Sequence, residues 1–181
     1  VVILHNEKEF EGCKSSMRLI KSMSLSAILL ISTVLLALAA YGLWAPDLGF
    51  AELQKRYSST SNNMVNVDGM RIHYKDTGPQ DAPVLLFLHG FGSSLQTWDV
   101  WAGSLEQKYR VIRLDLPGFG LTGPSPSNDY SELSDVNTLT QFVDKLGVSD
   151  LSVIGHSMGG KMAWTFAPAH PDRVKALVLI A

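Results

Sequence analysis

Leu151-Ser152-Val153-Ile154-Gly155-His156-Ser157-Met158-Gly159-Gly160 reads as a strand, a sharp turn and the start of a helix. Leu151 to Ile154 is a short buried strand by its apolar run, and Met158 to Phe166 reads as the helix. Between them, Gly155-His156-Ser157-Met158-Gly159 has G-x-S-x-G spacing, the pattern of a turn that lifts a serine hydroxyl clear of a sheet. The backbone at such a turn is strained, and side chains at the flanking positions would collide. Gly155 and Gly159 relieve that crowding because they have no Cβ. The following helix aims its positive end and unbonded N–H groups at the reacting oxygen. Ser157 is therefore the candidate nucleophile, with Gly155 and Gly159 as supporting turn residues.

Working outward, the chain alternates strand and helix. Val84-Leu85-Leu86-Phe87-Leu88 is a continuous apolar run, as expected for a strand covered on both faces. Arg110 to Leu114 and Val174 to Ile180 read as further strands, and Trp98 to Lys108 as a helix. Leu133, Val136, Leu139, Val143 and Leu146 stand at helical spacing within Ser131 to Leu146, and Gly147 is the stop. Upstream, the Asp68-Gly69 pair marks a hairpin turn. After it Met70, Ile72 and Tyr74 alternate with Arg71, His73 and Lys75, which predicts a half-buried antiparallel strand with His73 in solvent. A hairpin followed by strand–helix alternation predicts an α/β fold, a largely parallel sheet with helices on both faces. The globular part is expected over 64–181. A linker over 47–63 precedes it, with a short helix at Ala51 to Tyr57 and a polar stretch from Ser58 to Asn63.

Active sites in such sheets lie at the carboxyl ends of the strands. Acyl transfer places negative charge on a carbonyl oxygen, so backbone N–H groups must face it. Met158, next after the serine, supplies one donor. His89-Gly90-Phe91-Gly92, directly after an earlier strand, is placed to supply the other through Phe91, with His89 and Gly90 shaping the turn. Gly118-Phe119-Gly120-Leu121-Thr122-Gly123 matches G-x-G-x-x-G. A dinucleotide site needs that motif to open a helix, and here Pro124-Ser125-Pro126 follows, so no dinucleotide is expected. Asp115 is read as fixing this loop through hydrogen bonds, with a catalytic acid as the other possibility. His156, adjacent on so sharp a turn, is a poor general base, and His170 is read as a helix-exit or surface residue.

These residues carry a resemblance. The chain from about Met64 to Ala181 resembles the α/β-hydrolase superfamily, in its serine-nucleophile branch. The resemblance rests on His89-Gly90-Phe91-Gly92, Asp115-Leu116-Pro117-Gly118-Phe119-Gly120, Gly155-His156-Ser157-Met158-Gly159-Gly160 and His170-Pro171-Asp172-Arg173-Val174. It implies esterases, lipases, carbon–carbon bond hydrolases or cofactor-free haloperoxidases as candidate activities. Relatives with an aspartate nucleophile, such as dehalogenases and epoxide hydrolases, are set apart by the serine at position 157. The resemblance also implies an acid and a base histidine later than Ser157, and often a helical lid after the sixth strand. No histidine follows His170, so the fold is expected to be truncated after that strand, with acid and base beyond Ala181. Pro168 is expected to shorten the helix after the serine.

Composition narrows the partners. The chain has 181 residues, 15 basic and 17 acidic side chains, which argues against a nucleic-acid footprint. The single cysteine, Cys13, allows no internal disulfide and has no zinc-ligand cluster around it. No charge occurs from Ser22 to Pro46. Leu25 to Leu43 is long enough to cross a bilayer core, which takes about 20 residues. Lys14, Arg18 and Lys21 precede it, while Asp47 and Glu52 follow, so the positive-inside bias places the rest of the chain outside the cytoplasm. Two readings stand: a signal peptide cleaved at Ala37-Leu38-Ala39, or an anchor over 22–46 with Tyr41 and Trp44 at the interface. Residues 1–21 are read as an extension and basic flank, with Met17 as the native start and the first sixteen residues as upstream translated sequence.

The expected function is a serine hydrolase, membrane-anchored or exported, acting through an acyl-enzyme on a small, apolar ester-like substrate without metal or organic cofactor. A catalytically inactive fragment and a hydrolase-fold binding protein are the alternatives. Phe91, Trp98 and Met158 are consistent with an apolar pocket and equally with core packing.

Overall fold

The computed structural model describes residues 24–44, 48–57 and 62–181. The expected extension over 1–21, Cys13 and Ser58 to Ser61 lie outside the described residues. Two compact units divide at Asp47 and Leu48. The first contains α1 (Leu25–Leu43), capped by the Ser24 hydroxyl, which accepts from the Ala27 N–H. Nineteen residues at 1.5 Å rise give a length of about 28 Å. No residue of α1 is buried. Two mid-helix hydroxyls are satisfied within the helix: Ser32 and Thr33 both donate to the Leu29 carbonyl, at 2.9 and 2.8 Å. The helix is long and apolar enough to cross a membrane.

The second unit opens with α2 (Phe50–Tyr57), inside the segment expected as linker. A six-stranded mixed sheet follows: β1 (Asn62–Val67), β2 (Met70–Thr77), β3 (Val84–Leu88), β4 (Arg110–Leu114), β5 (Leu151–His156) and β6 (Val174–Ile180). The spatial order is β1-β2-β4-β3-β5-β6. The hairpin strands run antiparallel, and β4, β3, β5 and β6 run parallel. Asp68 and Gly69 both take positive φ, 49° and 79°, the two-residue turn that Asp-Gly favours.

Side chains of β3 point alternately to two apolar layers. Leu86 and Leu88 join a core with Ile112, Val153, Phe142 and Phe166, under α4 (Glu132–Lys145) and α5 (Met158–Ala169). Phe87 joins Trp98, Ala102, Val111 and Ile154, under a 3-10 turn (Leu95–Trp98) and α3 (Asp99–Leu105). The helix expected over Trp98 to Lys108 thus begins as 3-10 and ends at Leu105. Trp98 is buried in this second layer, so its role is core packing.

Two expectations are corrected. His73 is fully buried rather than solvated. The alternation does mark two faces, and Arg71 on the polar one is exposed, but the loop after β4 folds over that face at His73, where Asp115 and Thr122 bond it. Pro168 does not shorten α5, which runs through it to Ala169. In the last turn, proline forfeits one ladder hydrogen bond, and the helix closes with the His170 N–H on the Ala167 carbonyl.

Candidate active site

β5 delivers Ser157 to the carboxyl end of the sheet. Ser157 has φ 51° and ψ −113°, a region that costs a non-glycine residue on the order of 1–3 kcal/mol. It occupies the N-cap position of α5, where a serine hydroxyl ordinarily bonds the first turn. Here the hydroxyl makes no capping bond, and the residue is exposed. The backbone pins the turn instead: Ser157 N–H donates to the Ile180 carbonyl at 2.9 Å, and its own carbonyl accepts from Lys161 N–H at 3.0 Å.

The flanking glycines are there for space. A Cβ on Gly155 would lie 2.4 Å from the Gly159 carbonyl oxygen, and one on Gly159 would lie 2.4 Å from that of Leu88. The end of β3 therefore sits directly against the start of α5. Leu88 pairs with Gly155 across the sheet, which carries His89-Gly90-Phe91-Gly92 to the elbow. A Cβ on Gly90 would lie 2.7 Å from His156 Nδ1 and 3.4 Å from Ser157 Cβ. The structure thus brings together Ser157, Met158, Gly155, Gly159, His89 and Gly90, with Phe91 one residue further on. Phe91 is exposed and stacks edge-on against Phe119 at 5.5 Å.

Three of the described histidines have ring nitrogens bonded to other partners, while His156 is adjacent to Ser157 on the turn itself. His89 is buried; Nδ1 bonds the Gly90 carbonyl at 2.8 Å and Nε2 accepts from Leu116 N–H at 3.0 Å. An acceptor Nε2 and a donor Nδ1 define a neutral imidazole. Burial pushes its pKa down, partly opposed by the bond to Gly90 and by Asp115. His73 Nδ1 bonds Asp115 Oδ2 at 2.6 Å. His170 Nε2 meets Thr140 Oγ1 at 2.7 Å, and its ring packs on Phe166, so it docks the end of α5 onto α4. Asp115 is buried and accepts hydrogen bonds from the Leu95 and Leu121 N–H groups, both at 2.8 Å. This is the loop-fixing role expected for it. Its pairing with His73 was not legible, because the two are 42 positions apart and each is unremarkable in its own segment. Among the described residues no group of three or more His, Cys, Asp or Glu could hold a metal ion.

A family model for the alpha/beta hydrolase fold matches residues 83–181, and the chain belongs to that family. Several reactions are represented among similar proteins. A Bacillus subtilis (strain 168) protein named as a 2-succinyl-6-hydroxy-2,4-cyclohexadiene-1-carboxylate synthase is 37% identical over 65% of this chain and 43% of its own length. Epoxide hydrolase 3 of Xenopus tropicalis is 35% identical over 62% of this chain and 31% of its own. A crystal structure of a membrane phospholipase A, described as a bacterial virulence factor, superposes with a TM-score of 0.65 and 33% identity. It covers 86% of this chain and 51% of that one. The chain spans less than half the length of the two curated relatives. A fold that hosts several chemistries leaves the reaction to the site.

Proposed function

We propose that the protein is a serine hydrolase that cleaves an ester or related carbonyl substrate through an acyl-enzyme on Ser157. The observation that carries this reading is the backbone of Ser157, turned at φ 51° so that its hydroxyl leaves the capping position it would otherwise fill. In the proposed mechanism Ser157 Oγ attacks the carbonyl carbon, and the N–H groups of Phe91 and Met158 receive the oxyanion. A general base takes the serine proton and returns it to the leaving group. His73, His89 and His170 spend ring nitrogens on other partners, and His156 is adjacent to the serine on so sharp a turn that it is a poor base, so we assign the base and its orienting acid to sequence after residue 181. The serine favours this chemistry over that of the relatives named as epoxide hydrolases, since an acyl-serine suits a carbonyl substrate.

We further propose that α1 holds the protein at a membrane, with the second unit on the extracytoplasmic side. The apolar surface of α1 supports this, as do the charges that flank it in the sequence. The match to the membrane phospholipase also covers more of the chain than the second unit occupies. The test of the catalytic reading is labelling of the natively expressed protein, at the length its gene encodes, with a serine-reactive phosphonate. Label on Ser157 and loss of ester turnover by at least about 10³-fold in Ser157→Ala are expected; label that persists in the variant overturns the assignment.

A further inference from the structure

The loop that carries Phe91 has no strand or helix of its own between Leu88 and Leu95. It is tied at both ends to the loop after β4. At its start, His89 Nε2 accepts from Leu116 N–H at 3.0 Å. At its far end, Leu95 N–H donates to Asp115 Oδ1 at 2.8 Å. The other carboxylate oxygen takes His73 Nδ1 at 2.6 Å and Leu121 N–H at 2.8 Å. Three donors converge on one buried carboxylate, which is what an ionised group away from water requires.

The surroundings close on this carboxylate. Asp115 N–H donates to the His73 carbonyl, Thr122 Oγ1 donates to the Asp115 carbonyl at 2.7 Å, and Thr122 Oγ1 accepts from His73 N–H. A Cβ on Gly120, whose φ is +52°, would lie 2.1 Å from Asp115 Oδ2. Only a residue without a side chain lets the loop wrap the carboxylate this tightly. Phe119 of the same loop touches both His89 and Phe91 edge-on, each at 5.5 Å.

We propose that Asp115 and His73 are the positioning pair of the oxyanion hole. Asp115 fixes the far end of the Phe91 loop through Leu95 N–H, and His73 holds the carboxylate in the orientation that makes this bond. His89 fixes the near end. Asp115 and His73 touch no substrate; they act through the placement of the Phe91 N–H. The catalytic consequence rests on the serine-hydrolase reading, and the structural one rests on the hydrogen bonds alone.

The test compares wild type with Asp115→Asn, His73→Leu and His73→Asn, in the natively expressed protein. Two quantities are read: the rate ratio between an oxygen ester and its thiono analogue, and amide hydrogen exchange. A thiono ester gains little from an oxyanion hole, so misplacing the Phe91 N–H lowers the ratio. A smaller fraction of folded enzyme scales both rates alike and leaves the ratio alone. An amide in place of the carboxylate turns a donor toward Leu95 or Leu121. Asp115→Asn is therefore expected to lower kcat about 10²-fold for the oxygen ester, as a displacement of about 1 Å does, with KM within about twofold. The ester-to-thiono ratio falls with it. Exchange speeds up in 89–95 and not in β5 or α5. His73→Leu follows the same pattern, and His73→Asn, which keeps a donor near Nδ1, recovers most of the ratio and the slow exchange. An unchanged ratio, or exchange that rises equally throughout the unit, overturns the proposal and leaves the pair as general packing. Turnover that survives Ser157→Ala overturns the nucleophile instead, and the clamp is then decided by exchange at 89–95. If Asp115→Asn does not fold, the two His73 variants decide it.

Discussion

A methyl group on Gly159 would lie 2.4 Å from the Leu88 carbonyl oxygen and 2.5 Å from that of His89. Both contacts are backbone, so neither neighbour can swing aside. Gly159→Ala must therefore push α5 away from β3, at a cost of about 2–3 kcal/mol by the measure of overpacked cores. Chemical denaturation reads that as a lowered midpoint with an unchanged slope. Gly155 and Ser157 could be recognised at this scale from spacing alone, because the steric demand of the elbow is local. His73 could not. Alternation of apolar and polar residues marks the face turned from the core, but it cannot show that a loop from elsewhere, here the one carrying Asp115 and Thr122, covers that face at one position.

At the scale of elements, α4 shows how a helix start can carry its own pH dependence. Ser131 caps it through Ser134 N–H at 3.3 Å, and Glu132 and Asp135 lie in its first turn. Burial pushes the Asp135 carboxyl up to about 6; Lys161 opposes that shift, and Asp129 and Glu132 add to it. The folded state thus binds this proton more tightly than the unfolded chain, whose carboxyl titrates near 3.8. Stability contributed by the protonated form is present below about pH 4 and is lost as pH rises towards 6. Asp135 is partly exposed, so water screening limits the effect to about 1 kcal/mol. Asp135→Asn should gain about that much at pH 7 and flatten urea midpoints between pH 4 and 6; an unchanged pH profile would count against it. Most elements were legible in the sequence, since the heptad-like run of α4 and the apolar runs of β3 to β6 are periodic signals. The 3-10 start at Leu95 was not. It depends on Asp115 receiving the Leu95 N–H, a bond from another part of the chain.

At the scale of the whole molecule, α1 is the feature that no packing within its own unit explains, for none of its residues is buried. Replacing Val34 and Leu35 by lysine places two charges at mid-helix, each costing about 3 kcal/mol to insert. The protein should then move from the carbonate-resistant membrane fraction to the soluble one; retention of the double variant in the membrane would sink the anchor. The sequence by itself determined the family, the strand order along the chain, the elbow at Ser157 and the loop facing it, because each is a matter of short spacing, turn chemistry and apolar period. Only the tertiary structure decided that Trp98 is core, that His73 is buried, and that Asp115 gathers His73, Leu95 and Leu121 around one carboxylate. The Leu95 and His73 contacts join Asp115 to segments 20 and 42 residues away along the chain. No local pattern encodes those two, since a buried carboxylate meets partners from distant segments only after the sheet has brought them within reach.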